Sequence, residues 1–270
     1  MYINECQLIY NGLDLSKYIF VDSITKYVSP KLKFQQANTS VGSYVQGYGY
    51  EPFVIRVNAS ILANKPHEIA QVRTIIAQAL MSHTPKKLLL PDDTGIYYKA
   101  LYIGGSEVGA FTQAPDITLE FLVPDPIAYG GHHEERVQTH KDGTTEDVML
   151  VGGTYPTKPI ITFTVGKSGT STEVVNTPVE MMNKTTGKRI SLTGSFKSNQ
   201  IIEIDCELER VTVSDFTMKK YPNGEEMIKT NTRDTAPDIE SDFFDIKDGD
   251  ILYHSPNIYK YTIEWNERYL

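Results

Sequence analysis

A single amphipathic segment, Asn64 to Pro85, constrains the fold more than any other, because nearly everything around it reads as strand and turn. Ile69, Val72, Ile75, Ile76, Ala79 and Leu80 recur at three- and four-residue intervals, while Gln71, Thr74, Gln78 and Ser82 take the other side. Asn64 can cap the first turn, Pro66 fits where no N–H is needed, Glu68 suits the positive end and Pro85 closes the helix, so the spacing predicts a helix over about residues 66–82. A one-faced helix needs a sheet to lie on, and Phe53 to Leu62 and Lys86 to Ile103 can supply it. A membrane-surface helix would carry a row of Lys and Arg where this one carries amides and hydroxyls.

The first half otherwise reads as strands. Asn11-Gly12 is a hairpin turn, with extended chain resuming from Leu13 to Val21, and Asp14 and Ser16 read as turn residues. Ser29 to Glu51 is a polar loop or extended arm punctuated by Gly42, Gly47 and Gly49 and interleaved with Tyr44, Tyr48 and Tyr50. Its glycines match no phosphate-binding fingerprint, since no Gly-Lys-Ser/Thr and no helix follow. The three tyrosines make the arm a candidate interaction surface, beside the plainer reading of an ordinary surface loop. Phe53, Ile55, Val57 and Ala59 alternate with Val54, Arg56, Asn58 and Ser60, which predicts a strand with one face inward. Leu88 to Leu90 and Ile96 to Ile103 flank the turn Pro91 to Gly95, and Ile117, Leu119 and Phe121 form a last strand stopped at Pro124-Asp125-Pro126. Asp92 and Asp93 are read as turn residues, with no partner suited to acid–base work.

A chain of 270 residues can bury two cores. Residues 1–132 hold 10 basic and 11 acidic side chains and the remainder 16 and 23, so the surplus of acid belongs to the second half. That balance disfavours tight nucleic-acid binding, which draws on clustered Lys and Arg. Cys6 and Cys206 fit no metal or redox spacing and read as small core residues of a cytosolic product. Met1 to Tyr10 has no signal-peptide pattern, and no apolar run is long enough to cross a bilayer. Gly130 to Glu146 is polar and reads as linker, its His132, His133 and His140 lacking a fourth zinc ligand at a suitable spacing. Beyond it, Ile202, Ile204, Cys206 and Leu208 alternate with Glu203, Asp205, Glu207 and Glu209, predicting one buried and one acidic face. Thr185-Thr186-Gly187 and Pro222-Asn223-Gly224 read as turns, and Tyr259, Tyr261, Ile263 and Trp265 as one face of a final strand. The second half therefore predicts an antiparallel sandwich. Asp242 and Asp245 flank Phe243-Phe244 and are explained by the two rings packing inward.

Taken in order, Asn11 to Leu15, the glycine-punctuated arm, the strand and helix, Leu88 to Asp93, Ile96 to Ala100, Thr118 to Pro126, Gly152 to Pro159 and Ser241 to Gly249 resemble the distal tail proteins of long-tailed (siphovirus-type) bacteriophages of Gram-positive hosts. One departure is Asp250, where the family often has Asn. The resemblance implies a mainly β fold: residues 1–131 a tube-protein-like, ring-forming β domain with one packed α-helix, 132–147 a linker, 148–270 a galectin-like β-sandwich. It implies a non-enzymatic baseplate component at the virion tail tip, made in the host bacterial cytoplasm. Its partners would be copies of itself in a hexameric ring, the tail tube protein, the tail-associated hub protein and a receptor-binding protein, with DNA passing through the bore. No catalytic, cofactor-binding or metal residue is assigned, nor any sequence-specific nucleic-acid binding or membrane insertion; Tyr44, Tyr48 and Tyr50 are the candidate subunit-interface residues. The competing expectation is a carbohydrate-binding host-recognition module, and a more distant one a glycosidase; Trp265 is expected in the core rather than at a sugar site.

Overall fold

The computed structural model describes residues 7–27, 29–39, 41–63, 65–105, 115–138, 145–165, 174–175, 178–198, 200–221 and 224–270. The chain is mainly β and divides into two compact units, Met1–Gly130 with Tyr269–Leu270, and Gly131–Arg268. Each has its own buried core.

In the first unit the elements are β1 (Ile9–Tyr10), β2 (Leu13–Asp14), β3 (Ile19–Thr25), β4 (Leu32–Thr39), β5 (Gly42–Tyr50), β6 (Phe53–Ile61), the helix α1 (Pro66–Leu80), β7 (Lys86–Leu89), β8 (Tyr97–Gly105) and β9 (Asp116–Val123), with β10 (Ala128–Gln138) beginning there. Strand β6 is the spine. It pairs antiparallel with β9 so that Phe53–Val123, Ile55–Phe121, Val57–Leu119 and Ala59–Ile117 are buried pairs, while Arg56–Glu120, Asn58–Thr118 and Ser60–Asp116 face outward. β3 pairs with the other edge of β6, and β8 serves two ladders, its first half with β7 and β10 and its second with β9. Asn11 and Gly12 hold positive φ of 51° and 80°, as a two-residue hairpin turn requires. Extended chain does not resume directly after Leu13: Asp14 accepts the Ser16 N–H at 3.1 Å and starts a 3₁₀ turn, Leu15–Lys17, that drops Leu15 into the core.

The helix buries Ile69, Ile76 and Leu80 and stops at Leu80, because Met81 leaves with ψ of 96°. It starts at Pro66 as expected, but the cap differs. Lys65 is the N-cap and makes no side-chain capping bond, whereas Asn64 lies outside the described residues.

The second unit contains β11 (Glu146–Val148), β12 (Ile160–Val165), β13 (Val174–Val175), β14 (Val179–Asn183), β15 (Lys188–Leu192), β16 (Phe196–Lys197), β17 (Gln200–Asp205), β18 (Arg210–Tyr221), β19 (Gly224–Asp234), β20 (Ile251–His254) and most of β21 (Ile258–Tyr269). One sheet runs β19-β18-β17-β12-β21 and the other β11-β20-β14-β15, with β13 and β16 a separate pair. Ile263, Ile161, Ile204 and Val211 lie abreast across four strands, and Tyr261, Phe163, Ile202 and Val213 form the next row. These rows share a core with Val179, Met181, Ile190, Leu192 and Leu252 of the second sheet, which defines an antiparallel sandwich.

Two readings are corrected here. Residues 132–138, expected as linker, continue β10; their polarity hid the strand because sheet pairing uses backbone groups and needs no apolar side chain. Residues 139–144, with His140, lie outside the described residues. The alternation ending at Leu208 is strand only to Asp205: Asp205 accepts the N–H groups of Glu207 and Leu208, both at 2.9 Å, and Glu209 turns the chain at φ 51°. Pro222, Asn223 and the side chain of Tyr259 lie outside the described residues, with Tyr221 and Gly224 paired where β18 meets β19.

Candidate assembly surface

The arm is a β-hairpin. Among the described residues β4 and β5 pair only with each other, from Leu32–Tyr50 to Thr39–Gly42. Val45 opposes Gln36 while Gly47 opposes Gln35, so Gln46 is a one-residue bulge. Because side chains alternate, Leu32 and Phe34 share a face with Tyr50 and Val45 across the ladder, while Lys33 and Gln35 on the other face oppose Gly49 and Gly47. One face is mostly apolar and the other mixed, with Lys33, Gln35 and Tyr44 beside its glycines. Leu32, Phe34 and Val45 are 48%, 51% and 47% exposed. A two-stranded ribbon is marginal in water unless a sheet or helix lies beneath its apolar side.

Of the sequence candidates, Tyr44 is exposed, opposite Ala37 on the less apolar face; Tyr50 is half-buried opposite Leu32; Tyr48 pairs with Phe34, its side chain outside those described. Leu32, Phe34 and Val45 were missed. Alternation of Leu32 and Phe34 with Lys33 and Gln35 could have found the first two. At the hairpin's root, Lys31 Nζ sits 5.2 Å from the centre of the Tyr27 ring and Glu51 N–H donates to the Lys31 carbonyl at 2.8 Å.

A second feature of the same unit is a groove of about 380 Å³ between the C-terminal half of α1 and the sheet, lined by Ile61, Ile76, Leu80, Met81, Ile117 and Leu119 with Arg73 and His83 among the polar residues beside them. Met81 is 80% exposed.

The pairs considered for chemistry have structural partners. Lys26 Nζ lies 2.5 Å from Asp93 and 3.1 Å from Asp92. Burial pulls its pKa down, but bonding to Asp93 and Asp92 and their charge pull it up further, leaving it raised. Burial, then the charge of Asp93, pushes the neighbouring Tyr98 hydroxyl above its ordinary range. Asp242 N–H donates to the Arg189 carbonyl at 2.7 Å, and Phe244 is buried. His133 donates to or accepts from Glu267 at 2.8 Å and stacks on Trp265, ring centres 5.4 Å apart at 19°. Trp265 is buried, its Nε1–H donating to the Val151 carbonyl at 2.8 Å, so this ring is core as expected. Two of the acidic side chains of 203–209 find cations within the unit, Glu203 with Lys229 at 2.7 Å and Glu207 with Arg268 at 3.4 Å. Among the described residues no cluster of three or more His, Cys, Asp or Glu could hold a metal, and no helix is long and apolar enough to cross a membrane.

Residues 152–269, the span of the sandwich, match the family model described as siphovirus-type tail component, C-terminal domain. Over the sandwich, the resemblance to phage tail components read from the sequence is borne out by this match. Among solved structures, the Dit protein (gp 19.1) of phage SPP1, titled a paradigm of the hub adsorption apparatus in Gram-positive infecting phages, aligns over 98% of this chain and 99% of its own with a TM-score of 0.73 at 18% identity. Chains of the phage P2 baseplate in its activated conformation, with Ca and with Sr, align over 94% of this chain and 92% of theirs with TM-scores of 0.50 and 0.51 at 10% identity. At these identities the likeness is one of fold. The search of curated proteins gave no match.

Proposed function

We propose that this chain is a distal tail protein that assembles head to tail into a closed, hexameric ring at the tail tip, joining the tail tube to the hub and the receptor-binding apparatus. The observation that carries the reading is the β4–β5 ribbon, whose apolar face asks for a partner surface. A heterologous contact that closes under rotation yields a ring with a bore. Residues 1–132, with 10 basic and 11 acidic side chains, suit the lining of a DNA conduit, which serves best without clustered cations to hold phosphate. The family match of residues 152–269 and the fold shared with SPP1 Dit support the same role, as architecture rather than catalysis. The sugar-binding alternative finds less support, because one face of Trp265 is stacked by His133.

The test is negative-stain microscopy of the purified protein with and without residues 37–51. The full chain should give annuli of uniform diameter and the deletion variant mostly single copies. Intact annuli from the deletion variant would separate the arm from ring closure, and single copies from the full chain at every concentration would remove the ring.

A further inference from the structure

We infer that the lysine pair Lys87–Lys99 of one copy receives the aspartate pair Asp22–Asp116 of the next, a doubly paired ionic contact between neighbouring first units. This rests on the ring reading and adds to it a contact independent of the β4–β5 ribbon. Lys87 and Lys99 oppose each other across β7 and β8, and both are exposed. Lys87 Nζ lies 4.1 Å from the centre of the Tyr97 ring and Lys99 Nζ 4.2 Å from that of Tyr129, and these rings, themselves opposed across β8 and β10, stack 5.6 Å apart at 23°. The two stems therefore lean the same way, one strand spacing apart, which holds the ammonium groups about 5 Å from each other. Like charges so placed oppose the pairing of their strands. Neither lysine has a carboxylate partner among the described residues, whereas Lys17, Lys26, Arg56 and Lys65 of the same unit each have one. The same unit carries the converse. Ser60 Oγ lies 2.9 Å from an Asp22 oxygen and 3.0 Å from an Asp116 oxygen, so the two carboxylates approach within about 6 Å, and the hydroxyl has one proton for both. Both aspartates are exposed, and neither has a cation partner among the described residues. Two pairs of opposite sign and similar spacing, on different strands of one unit, give every copy one of each, as a head-to-tail contact requires. A single exposed ion pair contributes little, so the contact depends on both pairs closing together and excluding water. The lysines are too few to track a phosphate backbone, in a half of the chain with no surplus of base.

The test is charge reversal in the full chain, read by sedimentation velocity over a range of concentrations. Lys87→Glu with Lys99→Glu brings four like charges together, and should raise the concentration needed for assembly by at least about tenfold with the far-ultraviolet spectrum unchanged. Asp22→Lys with Asp116→Lys should do the same. All four substitutions in one chain should bring assembly back to within about threefold of the wild type, a rescue that a merely structural role of either pair would not give. Annuli that tolerate either double variant, or a quadruple variant that regains nothing, would overturn the pairing and leave the ring reading standing. Loss on reversing the lysines with the aspartates indifferent would assign the lysine pair to an acidic segment of another protein, and would equally overturn the contact between copies. A wild-type protein that never assembles would remove both. As a milder arm, Lys87→Gln with Lys99→Gln removes the charge and keeps most of each stem; assembly should weaken and lose much of its dependence on salt, and a salt dependence equal to the wild type's would count against the ion pairs.

Discussion

Gly153 illustrates how the landmarks of the second unit work one residue at a time. It sits at φ +79°, and a Cβ placed on it would meet the Arg268 carbonyl oxygen at a distance no carbon tolerates, with the Arg268 nitrogen at 2.9 Å. The tight approach lets the N–H groups of Thr154 and Tyr155 both donate to that carbonyl, at 2.9 and 3.0 Å. One turn away, Asp248 Oδ1 accepts from Val151 N at 2.5 Å and from Gly152 N at 2.9 Å, while Thr157 and Ile246 exchange backbone bonds. The two segments that carried the family resemblance, Gly152 to Pro159 and Ser241 to Gly249, are thus bonded to one another. Asp250, where the family often has Asn, is buried and accepts from Asn183 Nδ2 at 2.8 Å and Lys247 N at 3.1 Å. Gly153→Ala should cost about 2–4 kcal/mol, the left-handed penalty plus displacement of β21. Gly187→Ala, at φ +76° with nothing within 4 Å of the added carbon, should cost only the backbone term, about 1 kcal/mol. Urea unfolding of the two variants checks the difference; equal costs would show that the approach to Arg268 is not the constraint.

Edges are the weak point of a sandwich, and β15 shows how this one is closed. The segment 238–242 runs beside it: Asp238 N–H donates to the Ser191 carbonyl at 2.9 Å, Asp242 N–H to the Arg189 carbonyl at 2.7 Å, and Ser241 Oγ accepts from Ser191 N at 2.9 Å. The Asp238 carboxylate takes the Ser191 hydroxyl at 2.7 Å and the Thr193 hydroxyl at 2.9 Å, and these donors, the Ser191 hydroxyl foremost, hold its pKa below the usual carboxylate range. A depressed folded pKa means that the charged form stabilises the fold above the unfolded value, about 3.9, and that this contribution is lost as pH falls through the folded value. Asp238→Asn should therefore lower stability at pH 7, by an amount that solvent screening keeps small, and the difference should shrink as pH falls through the folded value, which urea midpoints measured across pH 2–7 would record. A constant offset would mean the charge is irrelevant to the seal. The sequence made such elements legible unevenly. β6 and β9 were plain because each has one buried face and alternates without a break, and the helix was plain because its apolar stripe has no rival nearby. Which strands pair was not, since partners lie far apart in the chain and register depends on both. β10 escaped because His132, His133 and Glu134 pair through backbone and side-chain polar groups. In the arm the tyrosines drew attention, and Tyr50 does share the apolar face with Leu32 and Phe34, but Val45 joins that face only through a bulge that no local pattern announces.

At the scale of the molecule, two cores with different chemistry should fail separately under alkali. In the first unit burial raises the pKa of the hydroxyls of Tyr10, Tyr97, Tyr98 and Tyr102; the Tyr102 N–H opposes it at Tyr10, and the charges of Asp93 and Glu120 add to it at Tyr98 and Tyr102. Lys26 is raised too, through its bonds to Asp93 and Asp92, which outweigh its burial. In the second unit the corresponding groups are Tyr261, raised by burial and by Asp147, and Cys206. Every one of these shifts has the same sign. A folded pKa above the unfolded one gives stability that is whole below the unfolded value, about 10 for tyrosine, and that drains away as pH climbs toward the folded value. Four tyrosines and a lysine tax the first unit where one tyrosine and one thiol tax the second. The single tryptophan, Trp265, is buried in the second unit and reports on it alone. Tyrosinate absorbance at 295 nm should therefore rise in a cooperative step above pH 10 while the Trp265 emission maximum stays blue-shifted, moving only at higher pH. Phe121→Ala, which opens a cavity beside Tyr10 and Tyr102, should bring the absorbance step to lower pH and leave the Trp265 transition where it was. Coincident steps in the wild type, or a Phe121→Ala variant that moves both together, would mean that the two cores unfold as one.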